Sequence, residues 1–151
     1  MTGEELEEGT VVLKPGTKLT PPAIGLAATV GAHTMRCYKQ PMISVVSTGD
    51  ELIEPGNSLT LSQIYNSNSY GVIAALLGQN ISADKIRRLH TIDDEKAVEE
   101  TLADALYGTD VLITLGGVSM GDKDFVKSTL EKMGAKTVFW KAKIKPGKPI
   151  Y

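Results

Sequence analysis

The sequence predicts an α/β fold, a three-layer architecture whose mostly parallel sheet carries helices on both faces, with a short N-terminal strand-helix extension. Met42–Val46 and Val111–Leu115 are short, nearly continuous apolar runs, as expected for strands buried on both faces. Segments with apolar residues at helical spacing alternate with these runs, which indicates βαβ units. The chain has 151 residues, 42% of them hydrophobic, and this is enough to build a core without disulfides.

The first 40 residues differ in pattern from the rest. Thr10–Leu13 is rich in β-branched residues and predicts a strand that stops at the turn signal Pro15-Gly16. Thr20 is a candidate N-cap for a helix of small residues that continues to Val30. We therefore expect residues 1–40 to be an extension that belongs to a neighbouring domain, and residues 41–151 to form the α/β domain.

The remaining elements follow from capping residues and periodicity. In chain order they are a helix over 67–77 capped by Asn66, a weaker strand over 85–89, a helix capped by Asp93, a helix over 125–133 ending at Gly134, and a strand over 137–140.

Composition excludes several classes of protein. The formal net charge of −2 argues against a nucleic-acid partner for the whole chain, and the lone Cys37 excludes an internal disulfide framework. No apolar run reaches the ~20 residues of a membrane span, so we expect no membrane insertion and a cytoplasmic location. Residues 123–148 nevertheless contain eight lysines against two acidic residues, which is compatible with an anionic ligand.

A glycine-rich loop, Gly116–Asp122, follows the clearest strand and precedes a helix. Glycines there allow backbone N–H groups to approach an oxyanion, although a plain strand-to-helix turn is the alternative. Asp122 stands where a Walker A loop has its lysine, and the glycines do not fit the Rossmann pattern. Asp122 and Asp124 could bind a ligand or a magnesium ion, or could simply favour the start of the helix.

The segment Lys145–Pro149 has Pro-Gly at its centre, which predicts a type II turn. Such a turn holds Lys145 and Lys148 close together, with Cα atoms less than ~7 Å apart. Two ammonium groups in this arrangement could clamp a small oxyanion, whereas the alternative is a turn with solvated lysines.

The segment Ser47–Glu51 ends the first strand of the predicted domain with hydroxyls, a glycine and two acids. It could bind polar ligand edges or a divalent cation through Asp50 and Glu51, or it could only cap a loop. His33 and His90 have no partner spacing, so a Ser-His-Asp triad is not indicated.

Together, Ser47–Leu52, Gly116–Phe125 and Lys145–Pro149 resemble, in order and spacing, the MoeA and gephyrin E-domain family of molybdopterin molybdenumtransferases. The resemblance implies a MogA-like molybdopterin-binding domain. It also implies a function in molybdenum cofactor biosynthesis. The enzymes of this family bind adenylylated molybdopterin (molybdopterin-AMP), hydrolyse its phosphoanhydride with Mg²⁺ or another divalent cation, and insert molybdate into the dithiolene.

The resemblance also implies roles for individual residues. Ser119 and Asp124 would be catalytic, Lys145, Lys148 and Pro149 would bind molybdate, and Asp50 and Glu51 are weaker candidates for the metal. The residues expected to bind the pterin substrate are Gly116, Gly117, Val118, Ser119, Gly121 and Asp122.

Two positions depart from the family pattern, since Asn66 and Glu5 stand where relatives have aspartate. Full members of the family are longer and act as homodimers, so we expect a separated domain or a truncated relative. A gephyrin-like scaffold that binds protein partners is the alternative function. An unrelated sugar-phosphate or nucleotide binder is a third.

Overall fold

The computed structural model describes residues 6–117 and 125–139 of the chain. The chain divides into two compact units, Met1–Lys39 and Gln40–Tyr151. The described part of the first unit contains helix α1 (Pro21–Thr29). Thr20 is extended and its side chain accepts a hydrogen bond from the backbone N–H of Ala23, which confirms the predicted N-cap.

The predicted strand over Thr10–Leu13 is wrong, because these residues have no strand conformation. Val11 is 67% exposed. A β-branched sequence forms a strand only when it packs against a partner, and no described strand pairs with this segment.

The described part of the second unit contains two β-sheets and three further α-helices. In chain order its elements are β1 (Ile43–Thr48), β2 (Leu52–Ile53), β3 (Ile64–Tyr65), α2 (Ser67–Gly78), a 3₁₀ turn (Ala83–Lys85), β4 (Ile86–Thr91), α3 (Glu95–Leu106), β5 (Val111–Leu115) and α4 (Phe125–Lys132).

The central sheet is parallel, with the strand order β4-β1-β5 in the described part of the chain. Ile43 pairs with Ile86 on one side and with Val111 on the other. A second, short parallel pair joins β2 to β3, with Leu52 opposite Ile64. The sequence did not predict this pair, because two-residue strands leave no periodicity to detect.

All six residues of β1 are buried, although successive side chains point to opposite faces of the sheet. Both faces are therefore covered at this strand. The connection β1–α2–β4 steps to one side of β1, and β4–α3–β5 crosses to the other side. Because parallel crossovers are right-handed, this reversal puts α2 and α3 on opposite faces, which confirms the predicted α/β class.

The core under α3 joins it to α4 and to the sheet. Val98, Leu102 and Val126 are buried together, and Leu112, Phe125 and Leu130 pack against them. Asp94, one residue after the predicted Asp93, caps α3 by accepting the backbone N–H of Ala97 at 2.9 Å. Adjacent aspartates are hard to distinguish from sequence, because either can begin a helix.

The last predicted strand, over 137–140, is wrong in its described part. Thr137–Phe139 has no strand conformation, and Val138 is 93% exposed. Trp140 lies outside the described residues. None of the described helices is both long enough and apolar enough to cross a bilayer.

Candidate functional site

The candidate site lies at the carboxyl edge of the central sheet, between β1 and β5. The chain leaves β1 towards β4 on one side and later reaches β5 on the other side, and in open α/β sheets ligands bind where the strand order reverses in this way. A cavity of about 160 Å³, called here the inner cavity, opens there against the start of α2. Its lining residues are Ser47, Thr48, Glu51, Leu52, Ile64, Tyr65, Asn66, Ser67, Asn68, Leu115 and Gly116.

A wider cleft of about 500 Å³, called here the outer cleft, adjoins the inner cavity. The two share four lining residues: Ser67, Asn68, Leu115 and Gly116. A ligand with a small ring and a longer charged arm could therefore extend from one into the other.

The turn after β5 requires glycine. Gly116 has φ +90°, and a Cβ on it would lie 2.7 Å from the backbone oxygen of Thr48. Gly117 has φ +60°, and a Cβ there would collide with the Val126 side chain. The main chain of β5 thus comes close to the end of β1 and leaves the cavity wall without side chains at this point.

Thr48 places a polar atom against this glycine turn. Its side chain is 5% exposed, and within the described residues its Oγ1 has no hydrogen-bond partner. Buried hydroxyls usually have a partner, so an unpaired one beside a cavity is a feature to explain by function.

Asp50 and Glu51, the predicted metal residues, have different surroundings. Asp50 Oδ1 accepts the backbone N–H of Asp93 at 3.0 Å and so links the loops that follow β1 and β4. The Glu51 carboxylate lies over Gly49, where an added Cβ would be 2.7 Å from Oε2, and Glu51 also lines the inner cavity. Among the described residues, no three His, Cys, Asp or Glu side chains are grouped to hold a metal.

Asn66 is the buried polar residue at the centre of the inner cavity's hydrogen bonds. It is 3% exposed, and it does not cap α2 with its side chain as the sequence predicted. Its Nδ2 instead donates to Ser47 Oγ at 2.9 Å and to Glu54 Oε1 at 3.3 Å. The sequence could not show this, because both partners lie on other elements.

Glu54 joins this network to β4 and α2. Arg88 Nη1 contacts both carboxylate oxygens at 2.7 Å, and the Tyr70 hydroxyl donates to Oε2 at 2.8 Å. The Arg88 guanidinium also lies 4.6 Å from the centre of the Tyr70 ring. The hydrogen bond from Arg88, followed by that from Tyr70, lowers the pKa of Glu54, and the bond to Glu54 raises the pKa of Tyr70.

The structure brings together Gly116 and Gly117 with the segment after β1, as the sequence predicted for strand ends in one sheet. The other predicted site residues lie outside the described residues. They are Val118, Ser119, Gly121, Asp122, Asp124, Lys145, Lys148 and Pro149.

A family model described as "Probable molybdopterin binding domain" matches residues 44–151 of the chain. The match includes all but the first residue of β1, together with β5, the glycine turn that follows it and α4. The chain belongs to this family of molybdopterin-binding domains. The family predicted from the three sequence motifs is confirmed.

Curated relatives and a solved structure agree with this family. The chain is 42% identical to a molybdopterin molybdenumtransferase of Haemophilus influenzae over 98% of its own length and 36% of the relative's. It is 39% identical to a gephyrin of Dictyostelium discoideum, over 98% of this chain and 22% of that protein. The chain thus spans little more than a third of the first relative and less than a quarter of the second.

The fold is similar to the crystal structure of a molybdopterin biosynthesis MoeA protein from Pyrococcus horikosii. The TM-score is 0.74 at 26% sequence identity, and the match covers 96% of this chain and 35% of that one. The α/β architecture is therefore that of the MoeA structure over the matched region.

Proposed function

We propose that this chain supplies a binding site for adenylylated molybdopterin in molybdenum cofactor biosynthesis. The observation that carries the proposal is the inner cavity at the switch point, walled by the glycine turn after β5. The molybdopterin-binding family match and the names of the relatives support the same ligand.

The lining of the inner cavity suits a heteroaromatic ring with polar edges. Leu52, Ile64 and Tyr65 offer apolar surface, while Ser47 and Asn66 offer polar groups. Gly116 also lines the outer cleft, where its main chain would meet a phosphate of the ligand without a side chain of its own in between.

A divalent cation is part of the proposed chemistry. Glu51 is better placed than Asp50, because Glu51 lines the inner cavity whereas the Asp50 carboxylate accepts a hydrogen bond from the Asp93 backbone. One carboxylate together with ligand phosphate oxygens is a usual set of ligands for Mg²⁺. When bound, the cation would neutralise charge on the phosphoanhydride that is cleaved.

Turnover is proposed for the whole protein rather than for this chain, which spans 36% of the Haemophilus relative. For that turnover, Ser119 and Asp124 of this chain would assist cleavage, and Lys145, Lys148 and Pro149 would bind molybdate. A homodimer would complete the active site.

Calorimetric titration of the 151-residue chain with adenylylated molybdopterin, with Mg²⁺ present, tests the proposal. Gly116→Ala should weaken binding at least about tenfold, because the new Cβ must displace the end of β1. Gly108→Ala is the matched control, since Gly108 also has positive φ (+68°) but no heavy atom near an added Cβ. The control should bind with the affinity of the unaltered chain.

Equal weakening by both variants would contradict a site at the glycine turn, provided that thermal unfolding shows both to be folded. The competing hypothesis is the gephyrin-like scaffold. It would be favoured if the unaltered chain bound no adenylylated molybdopterin while the whole protein retained defined protein partners.

A further inference from the structure

The inner cavity contains one amide whose orientation is fixed by its neighbours. Asn66 Nδ2 is 3.3 Å from Glu54 Oε1 and 2.9 Å from Ser47 Oγ. Arg88 holds Glu54 in its charged form, which can only accept hydrogen bonds. The atom of Asn66 that faces Glu54 must therefore be the nitrogen, and a flipped amide would put two oxygens in contact.

The other end of the same amide is available to a ligand. Within the described residues, Oδ1 of Asn66 accepts no hydrogen bond. Among the described residues, the side-chain atoms that are fully buried and have no partner are Thr48 Oγ1 and Thr129 Oγ1. Asn66 Oδ1 has no partner either but is not one of these atoms, so it keeps some contact with solvent. Because Asn66 lines the inner cavity, this oxygen is an acceptor offered to whatever occupies it.

We propose that Asn66 determines specificity in the inner cavity by accepting, through Oδ1, an N–H on the edge of the ligand's heteroaromatic ring. The inference rests on the proposed function, which supplies a pterin as the ligand. It adds that the donor edge of the ring faces Asn66.

The surroundings of Asn66 favour a flat ring with donors. Tyr65 lines the inner cavity, and its hydroxyl donates to the Asn57 backbone oxygen at 3.0 Å, which holds the aromatic side chain in place. Leu52 and Ile64 add apolar surface beside it. An acceptor on a side chain that is only 3% exposed discriminates strongly, because a ring without an N–H would displace water from it and leave it unpaired.

The test measures binding of unsubstituted pterin, which carries no phosphate, to the 151-residue chain and to two variants. Asn66→Ala removes the acceptor and should weaken binding about tenfold. Asn66→Asp combined with Glu54→Gln keeps an acceptor oxygen at position 66 and gives the oxygen that faces position 54 an amide donor, so pterin binding should stay within about threefold of the unaltered chain. Gln79→Ala is the control, since Gln79 carries an exposed amide at the other end of α2 and does not line the cavity.

Thermal unfolding establishes that each variant is folded, and Asn66→Leu replaces the alanine variant if that one is not. Pterin affinity that is unchanged in the variants lacking an acceptor would overturn the inference. So would an equal loss in the double variant Asn66→Asp, Glu54→Gln, because the site would then depend on the amide nitrogen of Asn66.

Adenylylated molybdopterin is titrated in parallel to distinguish a failure of this inference from a failure of the proposed function. If it binds while pterin affinity is insensitive to position 66, the inference fails and the proposed function stands. If neither compound binds the unaltered chain, the proposed function fails and the inference falls with it.

Discussion

Thr48 and Thr91 are register partners on neighbouring parallel strands, and each is 5% exposed. Their hydroxyls differ in one respect. Thr91 Oγ1 donates to the Ile92 carbonyl at 3.3 Å, whereas Thr48 Oγ1 has no partner among the described residues. Because the two threonines are equally buried and lie opposite each other in the sheet, comparing them measures how much an unpaired buried hydroxyl lowers the free energy of unfolding.

Thr48→Val should leave the free energy of unfolding unchanged or raise it by about 1 kcal/mol, because an unpaired hydroxyl is replaced by a methyl group of similar size. Thr91→Val should lower it by about 1 kcal/mol, since a made hydrogen bond is lost. Urea unfolding of both variants checks this. A larger loss of stability for Thr48→Val than for Thr91→Val would contradict the account.

At the level of elements, Glu54 connects the short β2–β3 pair to the central sheet. Its carboxylate follows β2 and bonds Arg88 on β4 and Tyr70 on α2. Asn66, at the junction of β3 and α2, completes the link to Ser47 on β1. One side of the inner cavity is thus held by polar contacts rather than by a continuous sheet.

This network predicts a pH dependence of stability. Arg88 and Tyr70 hold the pKa of Glu54 below its usual value of 4.5 in the folded state. The charged Glu54 carboxylate therefore stabilises the folded state, and this stabilisation is fully present above the pKa that Glu54 has in the unfolded chain. It is lost as the pH falls through the lower pKa of Glu54 in the folded state. Because the Arg88 and Glu54 side chains are 33% and 38% exposed, the stabilisation by this ion pair should not exceed about 1 kcal/mol.

The measurement compares the unfolding free energy of the unaltered chain with that of Glu54→Gln from about pH 7 to about pH 3. The advantage of the unaltered chain should shrink as the pH falls below 4.5. A double-mutant cycle with Arg88→Met isolates the pair. A difference that does not depend on pH would show that the charge of Glu54 contributes nothing.

At the level of the whole molecule, the parts predicted correctly are those with local signals. Val111–Leu115 is a nearly continuous apolar run, and its predicted bounds are those observed for β5. The failure at Thr10–Leu13 has the opposite cause, because a strand depends on a partner that local composition does not reveal.

The candidate site was predictable only where it follows a strand end. Gly116 and Ser47 could be placed at the same edge because parallel strands end together. The contact between Glu54 and Arg88 joins residues 34 positions apart, and no short motif signals it. Asn66 appeared in the sequence as a helix cap, and its role in the inner cavity depends on the folded arrangement of β1, β2 and α2.

The most direct test of the central claim is to locate the ligand on the protein. Backbone amide chemical shifts of the 151-residue chain, followed by NMR during titration with adenylylated molybdopterin and Mg²⁺, give that location. We predict that the largest changes occur at Thr48, Glu51, Asn66 and Gly116, around the inner cavity. Changes confined to the outer surface of α3, or no changes at a concentration that saturates a full-length relative, would contradict the claim.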